Sequence, residues 1–438
     1  MTEVERLLSF LARPEPAKAR EVRAGLSISA PTLSRLIRAA GSDVCRLGDG
    51  RSSAYMRTRQ VEGLPRVLPV SRVDEHGRVV ADGTLTTLWK GAHLRVPAHG
   101  REHFFVGLPP FLFDMAPQGY LGRSIASGLT ELGLPSRIAD WNDDHRLVAT
   151  ARRGFDFPGN YLVGNEALQR FLDWNPPEAT RAHFVALGTA SASALPGSSA
   201  GGEQPKFCAF VDGAHCLVKF VANQDTASSR RWQELLVCEH TALGVVAKAG
   251  VSASQSKLVE RQGWRFLEAQ RFDREGARGR RDVISLRALE QEFFGHFDTW
   301  SAAALRLSAD ETFRLPEEDA RRLRWLDVFG QLIANTDRHF GNVSFLVQAD
   351  STLRLAPAYD MLPMALAPTL LGTTLPAFAA SPPNAENLDI WEDAARWARA
   401  YWNELASDRG LEGDLRTFAR RATEDISRMA ERVSGTTP

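Results

Sequence analysis

The sequence predicts an α+β fold in which a β-rich lobe precedes a helical lobe, with a small module in front of both. Residues 61–175 alternate apolar and polar side chains over short stretches broken by Gly and Pro, a pattern typical of antiparallel strands. Beyond residue 230 helical periodicity dominates. The 438 residues allow two to four domains, and 44% apolar with 24% charged residues is the composition of an ordinary globular protein.

The N-terminal module combines two helical patterns, a turn at residues 25–28 and two short strand-like segments. Ser29 is suited to cap the second helix of this pair, and Gly41 to end it. Helix, turn, helix and wing in this order predict a winged helix-turn-helix domain that binds DNA. The predicted elements are helices over 4–11, 18–24 and 29–40 and strands over 44–47 and 54–57. The predicted DNA-binding residues are Thr32, Ser34, Arg35 and Arg38.

Charge is distributed unevenly along the chain. The whole sequence has 53 Lys+Arg and 53 Asp+Glu, which excludes a uniformly basic nucleic-acid coat. Residues 1–60 hold eleven basic against six acidic residues, so this segment carries +5 and the remainder −5. The asymmetry favours a small anion-binding module fused to a larger body. The alternative is a helical hairpin whose basic face is merely solvated.

The sequence also predicts a cytoplasmic protein without a membrane partner. No stretch approaches the roughly 18 apolar residues of a membrane span, and the N-terminus lacks the long apolar core of a secretory signal. The four cysteines form no CxxC pair. Cys208 and Cys216 could be neighbours across a hairpin, but reduced thiols are the expectation in a cytosolic protein.

A Gly-, Ala- and Ser-rich segment over 186–206 has the composition of a flexible linker. It leads, however, into two strand-like runs, 207–211 and 215–221, joined by Asp212-Gly213, which is a strong hairpin signal. A glycine-rich segment at this place can fold over a ligand, and its backbone amides could cradle phosphate oxygens.

Lys219 lies within the second apolar strand of this hairpin. A buried ammonium group is costly unless it is paired or bound to an anion. Glu234 or Glu239 in the following helix could pair with it and orient it toward phosphates. The alternative is a lysine on an edge strand that points to solvent.

Asp337 and Asn342 follow an apolar helix predicted over 317–335, and Asp360 comes 18 residues after Asn342. An aspartate with an asparagine five residues later has the spacing of a protein-kinase catalytic loop, in which the aspartate accepts a hydroxyl proton and the amide oxygen binds Mg²⁺. Asp360 could hold Mg²⁺ against ATP phosphates. The alternatives are that Asp337 caps a turn in an ordinary polar loop and that Asp360 is an ordinary turn residue.

These elements occur in the order of a two-lobed kinase, and several segments resemble HipA-like toxin serine/threonine kinases. The resemblance covers roughly residues 65–405, and a helix-turn-helix ahead of it resembles the YjjJ (HipH) branch of that family. The DRHxxN motif is specific, because it inverts the His-Arg-Asp order of ordinary protein kinases. The segments are PQGYLGRSIA, GFDFPGN, SSAGGEQPKF, RFDR, NTDRHFGNVSF and YDMLP.

The resemblance implies a HipA-like kinase fold that binds ATP and Mg²⁺ and phosphorylates serine or threonine in a protein. Asp337 would be the base, assisted by Lys219 at the ATP phosphates, and Asn342 and Asp360 the metal ligands. Ser199 would be an autophosphorylation site, and His339 would be structural or assist substrate placement. The implied nucleotide-binding residues are Ser199, Ala200, Gly201, Gly202, Gln204, Lys206, Lys219, Glu234, Glu268, Gln270, Phe272, Asn342 and Asp360.

The resemblance further implies a growth-inhibiting toxin that targets a translation component such as an aminoacyl-tRNA synthetase. Expected partners include DNA, an antitoxin and a second copy of the chain. Glu203, where the family often has a small residue, would repel phosphates. Two alternatives are a transcription regulator with a nucleotide-sensing body and a metal-dependent enzyme acting on DNA. The predicted domains span residues 1–60, 61–185, 186–272 and 273–438.

Overall fold

The computed structural model describes residues 1–50, 53–193, 204–222, 224–369 and 372–435. The chain divides into two compact units, Met1–Asn175 and Pro176–Pro438. The finer division into four domains stays a prediction.

Three helices and a three-stranded sheet of order β1-β3-β2 form the start of the first unit. The Ser29 hydroxyl accepts the Thr32 backbone N–H at 3.3 Å, and Gly41 has a positive φ of 53°, so both predicted helix boundaries are confirmed. Leu7 and Leu33 lie in the small core. The elements are α1 (Glu3–Phe10), β1 (Ala17–Lys18), α2 (Ala19–Leu26), α3 (Ala30–Ala40), β2 (Val44–Leu47) and β3 (Ala54–Arg57).

A five-stranded antiparallel sheet of order β7-β6-β5-β4-β8 dominates the rest of this unit. Its core includes Leu68, Leu85 and Leu147. Leu47 and Met56 of the preceding module join a second cluster with residues of this region, so the two parts share packed apolar surface. The elements are β4 (Val67–Val73), β5 (Val79–Thr87), β6 (His93–Pro97), β7 (His103–Phe105), α4 (Pro110–Met115), α5 (Gly119–Ser127), α6 (Asp143–Arg153), β8 (Tyr161–Val163) and α7 (Asn165–Asp173).

The second unit begins with a helix and a four-stranded antiparallel sheet of order β11-β12-β10-β9. Asp212 and Gly213 both have positive φ, as a two-residue hairpin of type I′ requires, so the predicted hairpin is confirmed. Residues 186–193, whose composition alone is that of a linker, are helical, and Phe184 anchors the segment on an aromatic cluster. The elements are α8 (Phe184–Ser193), β9 (Lys206–Val211), β10 (Ala214–Val221), α9 (Ala227–Lys248), β11 (Ser256–Arg261) and β12 (Trp264–Gln270).

Helices form most of the remaining chain, with two small sheets between them. Trp391 and Trp402 are fully buried, and the Trp402 indole donates to the Leu332 carbonyl at 3.0 Å. Over the described ranges, no helix is long and apolar enough to cross a membrane. The elements are β13 (Arg274–Glu275), β14 (Gly279–Arg280), β15 (Val283–Ser285), α10 (Leu286–Leu289), α11 (Trp300–Ser308), α12 (Glu317–Leu332), β16 (Ser344–Val347), β17 (Leu353–Leu355), α13 (Leu388–Ser407) and α14 (Gly413–Gly435).

Candidate active site

Lys219 joins the sheet to helix α9 and to the loop that follows β17. Its side chain is only 6% exposed, and its ammonium donates to both carboxylate oxygens of Glu239 at 2.6 Å and to Asp360 Oδ1. Strand β10 is an inner strand of the sheet. The edge-strand alternative is therefore wrong, and of the two glutamates left open by the sequence the structure selects Glu239.

Glu234 lies elsewhere on α9. Its carboxylate accepts from the Arg231 guanidinium at 2.9 Å and from the Glu412 backbone N–H at 2.6 Å. Five residues separate Glu234 from Glu239, which places them about 140° apart around a helix. The expectation that Glu234 contacts a nucleotide or Lys219 is thus corrected, because its carboxylate is engaged on another face of the helix.

The three groups at Lys219 influence one another's protonation. Burial alone would lower the pKa of Lys219, but the Asp360 and Glu239 carboxylates outweigh it and raise this pKa above its ordinary value. Burial raises the pKa of Asp360, yet the ammonium groups of Lys219 and Lys206 prevail and lower it to about 2. Burial raises the pKa of Glu239. Asp360 therefore remains a carboxylate at neutral pH, as a ligand for a hard cation must.

The loop between α12 and β16 holds Asp337 and Asn342 through backbone contacts. The Asp337 N–H donates to Asn335 Oδ1 at 3.0 Å, and Asn342 Nδ2 donates to the Asp337 carbonyl at 2.8 Å. Because its nitrogen is engaged, Asn342 keeps its amide oxygen available as a ligand. Asn335 Nδ2 also donates to the Asp360 carbonyl at 3.3 Å, which connects the two loops that carry the predicted base and metal ligands.

Asp327 anchors this loop to the helices below it. One carboxylate oxygen accepts from the Ser301 N–H and hydroxyl at 3.1 and 2.8 Å, and the other accepts from Arg338 Nε at 3.2 Å. Asp327 is 3% exposed. The sequence analysis missed this residue, although an aspartate inside the apolar stretch 325–332 was a detectable signal, since a buried carboxylate needs partners.

Gly330 makes room for the Arg338 side chain, and we expect Gly330→Ala to impair the site. A Cβ at Gly330 would lie 2.6 Å from Arg338 Cδ, whose guanidinium is fixed by Asp327 and by the Asn335 carbonyl. The loop must then shift, and the phosphoryl transfer proposed below should fall at least tenfold, since small misplacements of catalytic groups can cost about 10²-fold.

The matched control for this prediction is Gly244→Ala in helix α9. A Cβ there would meet nothing within 4 Å, so the change should stabilise the protein by about 0.5–1 kcal/mol through helix propensity alone. Thermal denaturation and activity of the two variants provide the comparison. Equal activity of Gly330→Ala and the unsubstituted protein would contradict the role assigned to Arg338.

Three of the implied nucleotide-binding residues, Glu268, Gln270 and Phe272, lie at the end of strand β12 and just after it. Arg181 binds both oxygens of Glu268 at 2.7 Å, on the sheet face opposite to Lys219. The Glu268 side chain is therefore engaged with Arg181, and the placement of this segment at the adenine stays a prediction. The Gln270 N–H donates to a carbonyl of the neighbouring segment at 2.8 Å, and the Phe272 ring packs on Tyr359.

Of the other predicted nucleotide contacts, Lys206 and Gln204 lie beside Lys219. Lys206 is directly opposite Lys219 in the β9–β10 pairing and therefore on the same face of the sheet. Gln204 Nε2 donates to the Phe220 carbonyl at 2.7 Å. The glycine-rich residues predicted to bind phosphates or to be autophosphorylated lie outside the described residues. They are Ser199, Ala200, Gly201 and Gly202, with Glu203 after them.

The predicted DNA-binding residues lie on or near the exposed face of α3. Ser34 and Arg38 are exposed, whereas Arg35 donates to the Glu3 carboxylate at 3.2 Å. The Thr32 hydroxyl lies 2.9 Å from that of Ser29 and so belongs to the helix cap. Ser34 and Arg38 are therefore the two predicted residues whose side chains are best placed to reach DNA, since those of Thr32 and Arg35 contact other residues of the module.

The fold is α+β and HipA-like, as predicted. It is similar to the fold of HipA from Shewanella oneidensis MR-1, which was solved with HipB and its operator DNA. The TM-score is 0.50, and the two sequences are 15% identical, with 84% of this chain and 97% of that one covered. The Helicobacter pylori proinflammatory kinase CtkA is 14% identical over 54% of this chain and 93% of that one, with a TM-score of 0.40, a level that does not establish a shared fold.

Two family models match the chain. Residues 64–172 match the middle domain of YjjJ-like toxins, and residues 198–435 match the HipA-like C-terminal domain. Over 441 aligned residues the chain is 34% identical to Toxin YjjJ of Escherichia coli (strain K12), with 98% of each sequence covered. The chain therefore belongs to the HipA-like toxin family, which confirms that part of the resemblance.

Proposed function

We propose that this chain is an ATP- and Mg²⁺-dependent kinase that transfers a phosphoryl group to a serine or threonine hydroxyl of a protein. The observation that carries the proposal is the bridge from Lys219 to both Glu239 and Asp360, beside a loop that presents Asp337 and Asn342. Phosphoryl transfer relies on positioning and charge neutralisation, and this arrangement offers a residue for each requirement.

The side chains around Lys219 fit a nucleotide with its metal. Asp360 and Asn342 offer a carboxylate and an amide oxygen, an all-oxygen set of the kind that Mg²⁺ prefers. Lys219 and Lys206 place two cations on the same face for phosphate oxygens. When bound, ATP and Mg²⁺ would supply the phosphoryl group and the neutralising charge. Over the described ranges, no group of three or more His, Cys, Asp or Glu side chains is placed to hold a metal ion.

Asp337 is suited to meet an incoming hydroxyl group. Its side chain is 51% exposed, whereas Asp360 and Lys219 lie deeper, at 28% and 6%. An accessible carboxylate on a residue whose backbone N–H and carbonyl are both hydrogen-bonded can orient the acceptor and take its proton. We therefore assign the proton-accepting role to Asp337.

The direct test measures transfer of labelled phosphate from ATP to the proteins of a cell extract. The assay is run with Mg²⁺ and with EDTA, and it compares Asp360→Asn with the unsubstituted protein. Transfer that needs both Mg²⁺ and Asp360 is the expected result. Tight ATP binding without transfer, together with growth effects that survive Asp337→Ala, would favour the nucleotide-sensing regulator. DNA cleavage without ATP would favour the metal-dependent enzyme on DNA.

The relatives support a toxic activity in cells. Because the relative with 98% coverage is named a toxin, we propose that the kinase inhibits growth, and translation components such as aminoacyl-tRNA synthetases are the first substrates to try. The HipA structure contains HipB and operator DNA, so we also propose an antitoxin and DNA as partners of this chain.

The N-terminal module supports a second role, DNA binding by a winged helix-turn-helix. Helices α2 and α3 are joined through Ser27, which is in the left-handed conformation, and the β2–β3 hairpin follows α3 in the position of a wing. The exposed Ser34 and Arg38 lie four residues apart, on one face of α3. This is the arrangement of a helix that enters the major groove.

We expect Arg38→Ala to weaken binding to duplex DNA and to lower the slope of log K against log[salt] by about one, because one phosphate contact is lost. Glu3→Gln should instead raise affinity about two- to fivefold, since Arg35 is released from an exposed ion pair. Fluorescence anisotropy at several salt concentrations measures both effects. Binding that does not depend on salt would contradict the assignment of this surface.

A further inference from the structure

We propose that His339 positions the base: its Nε2–H faces Asp337 Oδ1 at 3.8 Å, donates to it when the acceptor is bound, and leaves Oδ2 of that carboxylate for the acceptor hydroxyl. This inference rests on the proposed phosphoryl transfer. It gives His339 a specific role, where the sequence left open whether the residue is structural or helps to place the substrate. The observations that carry it are the contacts of the two ring nitrogens.

The contacts of Nδ1 fix which nitrogen carries the proton. Nδ1 of His339 accepts the Gly341 backbone N–H at 3.1 Å, and the Arg287 guanidinium lies 3.3 Å from the same nitrogen. Both neighbours are obligatory donors, so Nδ1 must present its lone pair to them. In the neutral ring the proton is then on Nε2, and this nitrogen faces Asp337 Oδ1 at 3.8 Å.

The ring is also held sterically over the loop. A Cβ on Gly341 would lie 3.0 Å from both Cε1 and Nδ1 of His339, and 3.4 Å from Arg287 Nη2. Gly341 thus allows the imidazole and the guanidinium to approach the backbone closely. Arg287 itself lies on α10, whose N-terminus is capped by the Ser285 hydroxyl. The ring orientation therefore follows from two elements of the fold.

The consequence concerns the Asp337 carboxylate. Its backbone is fixed by Asn335 and Asn342, but over the described ranges no side chain other than His339 pairs with its carboxylate. At 3.8 Å the contact is longer than a hydrogen bond, and such contacts commonly shorten when a substrate closes the site. A donor at Oδ1 selects one orientation of the carboxylate and directs Oδ2 toward the hydroxyl proton.

Two substitutions of His339 distinguish the roles of its two ring nitrogens. His339→Asn keeps an acceptor near the position of Nδ1, where it can receive the Gly341 N–H as in an Asx turn, but it removes the donor toward Asp337. His339→Gln can place an amide N–H near the position of Nε2 but loses the short-range acceptor. We expect kcat to fall about tenfold in His339→Asn, the loss of roughly one hydrogen bond to a charged group, with KM for the acceptor protein within about twofold. His339→Gln should recover part of kcat.

The same changes in an Asp337→Asn background should have no further effect on the residual rate, because a positioning residue acts through the group that it positions. Additive losses in the double variant, or a His339→Asn variant with the full kcat, would overturn the inference. If neither the unsubstituted protein nor any variant transfers phosphate, the proposed function fails instead, and the ring assignment is tested separately.

That separate test uses the full chain without nucleotide. Nitrogen NMR of protein labelled with [¹⁵N]histidine, with the His339 signals assigned by their loss in His339→Asn, reports which ring nitrogen carries hydrogen. A proton on Nε2 and a lone pair on Nδ1 is the expected result. A proton on Nδ1 would overturn the inference whatever the activity measurements show.

Discussion

Lys219→Met should lower the free energy of unfolding by about 3–5 kcal/mol, the usual loss when one partner of a buried ion pair is removed. Methionine preserves most of the aliphatic stem but leaves Glu239, which is 1% exposed, without its counter-charge. Asp360 loses the same partner. Urea denaturation of the two proteins, followed by tryptophan fluorescence, measures the difference. Adding Glu239→Gln should recover part of the loss, because the stranded charge is removed with it.

The control for this prediction is Lys206→Met. Lys206 lies directly opposite Lys219 on the neighbouring strand, and it is half-buried rather than enclosed. Its charge also favours the Asp360 carboxylate, so its replacement should cost up to about 1 kcal/mol, well below the loss expected for Lys219. Similar losses in the two methionine variants would mean that the bridge of Lys219 to Glu239 and Asp360 does not stabilise the fold.

Asp337→Asn should reduce the rate of phosphoryl transfer by about 10²–10⁴-fold, the range expected for loss of a general base. The substitution keeps the shape of the side chain, and the hydrogen bonds that fix residue 337 use its backbone N–H and carbonyl. The fold and the affinity for nucleotide should therefore be unchanged. Single-turnover kinetics gives the rate, and calorimetric titration with ATP gives the affinity.

Asp298→Asn is the matched control, since Asp298 is a carboxylate of the same unit whose side chain is 87% exposed. It should transfer phosphate at the rate of the unsubstituted protein. A modest loss in Asp337→Asn, below about tenfold, would show that another group accepts the proton, because removal of a true base costs more than that. A large loss of ATP affinity would instead place residue 337 among the nucleotide contacts.

Local signals predicted much of the architecture. Asp212-Gly213 specifies its hairpin because both residues tolerate positive φ, and Ser29 and Gly41 bound their helix through short-range hydrogen bonds and backbone conformation. The helical spacing of apolar residues predicted helix α9, and the run of apolar residues around Lys219 predicted its strand. Where the information lies within a few neighbouring residues, sequence patterns are sufficient.

Contacts between distant segments could not be predicted from those patterns. The choice between Glu234 and Glu239 depends on which face of α9 meets the sheet, and both positions are polar in the sequence. Asp327 is joined to Ser301 and Arg338 across 26 and 11 residues. Likewise, residues 186–193 have the composition of a linker, yet they form a helix because the aromatic cluster around Phe184 supplies the burial that composition does not reveal.

The central claim is tested most directly by intact-mass and peptide mass spectrometry of the purified chain after incubation with ATP and Mg²⁺, beside Asp337→Asn. The account predicts that the unsubstituted protein gains phosphate on itself, with the serine-containing segment around Ser199 as the first place to look, and that Asp337→Asn does not. Equal phosphate on both proteins would contradict the assignment of the base. No phosphate on either protein, or on proteins of an added cell extract, would contradict the kinase proposal.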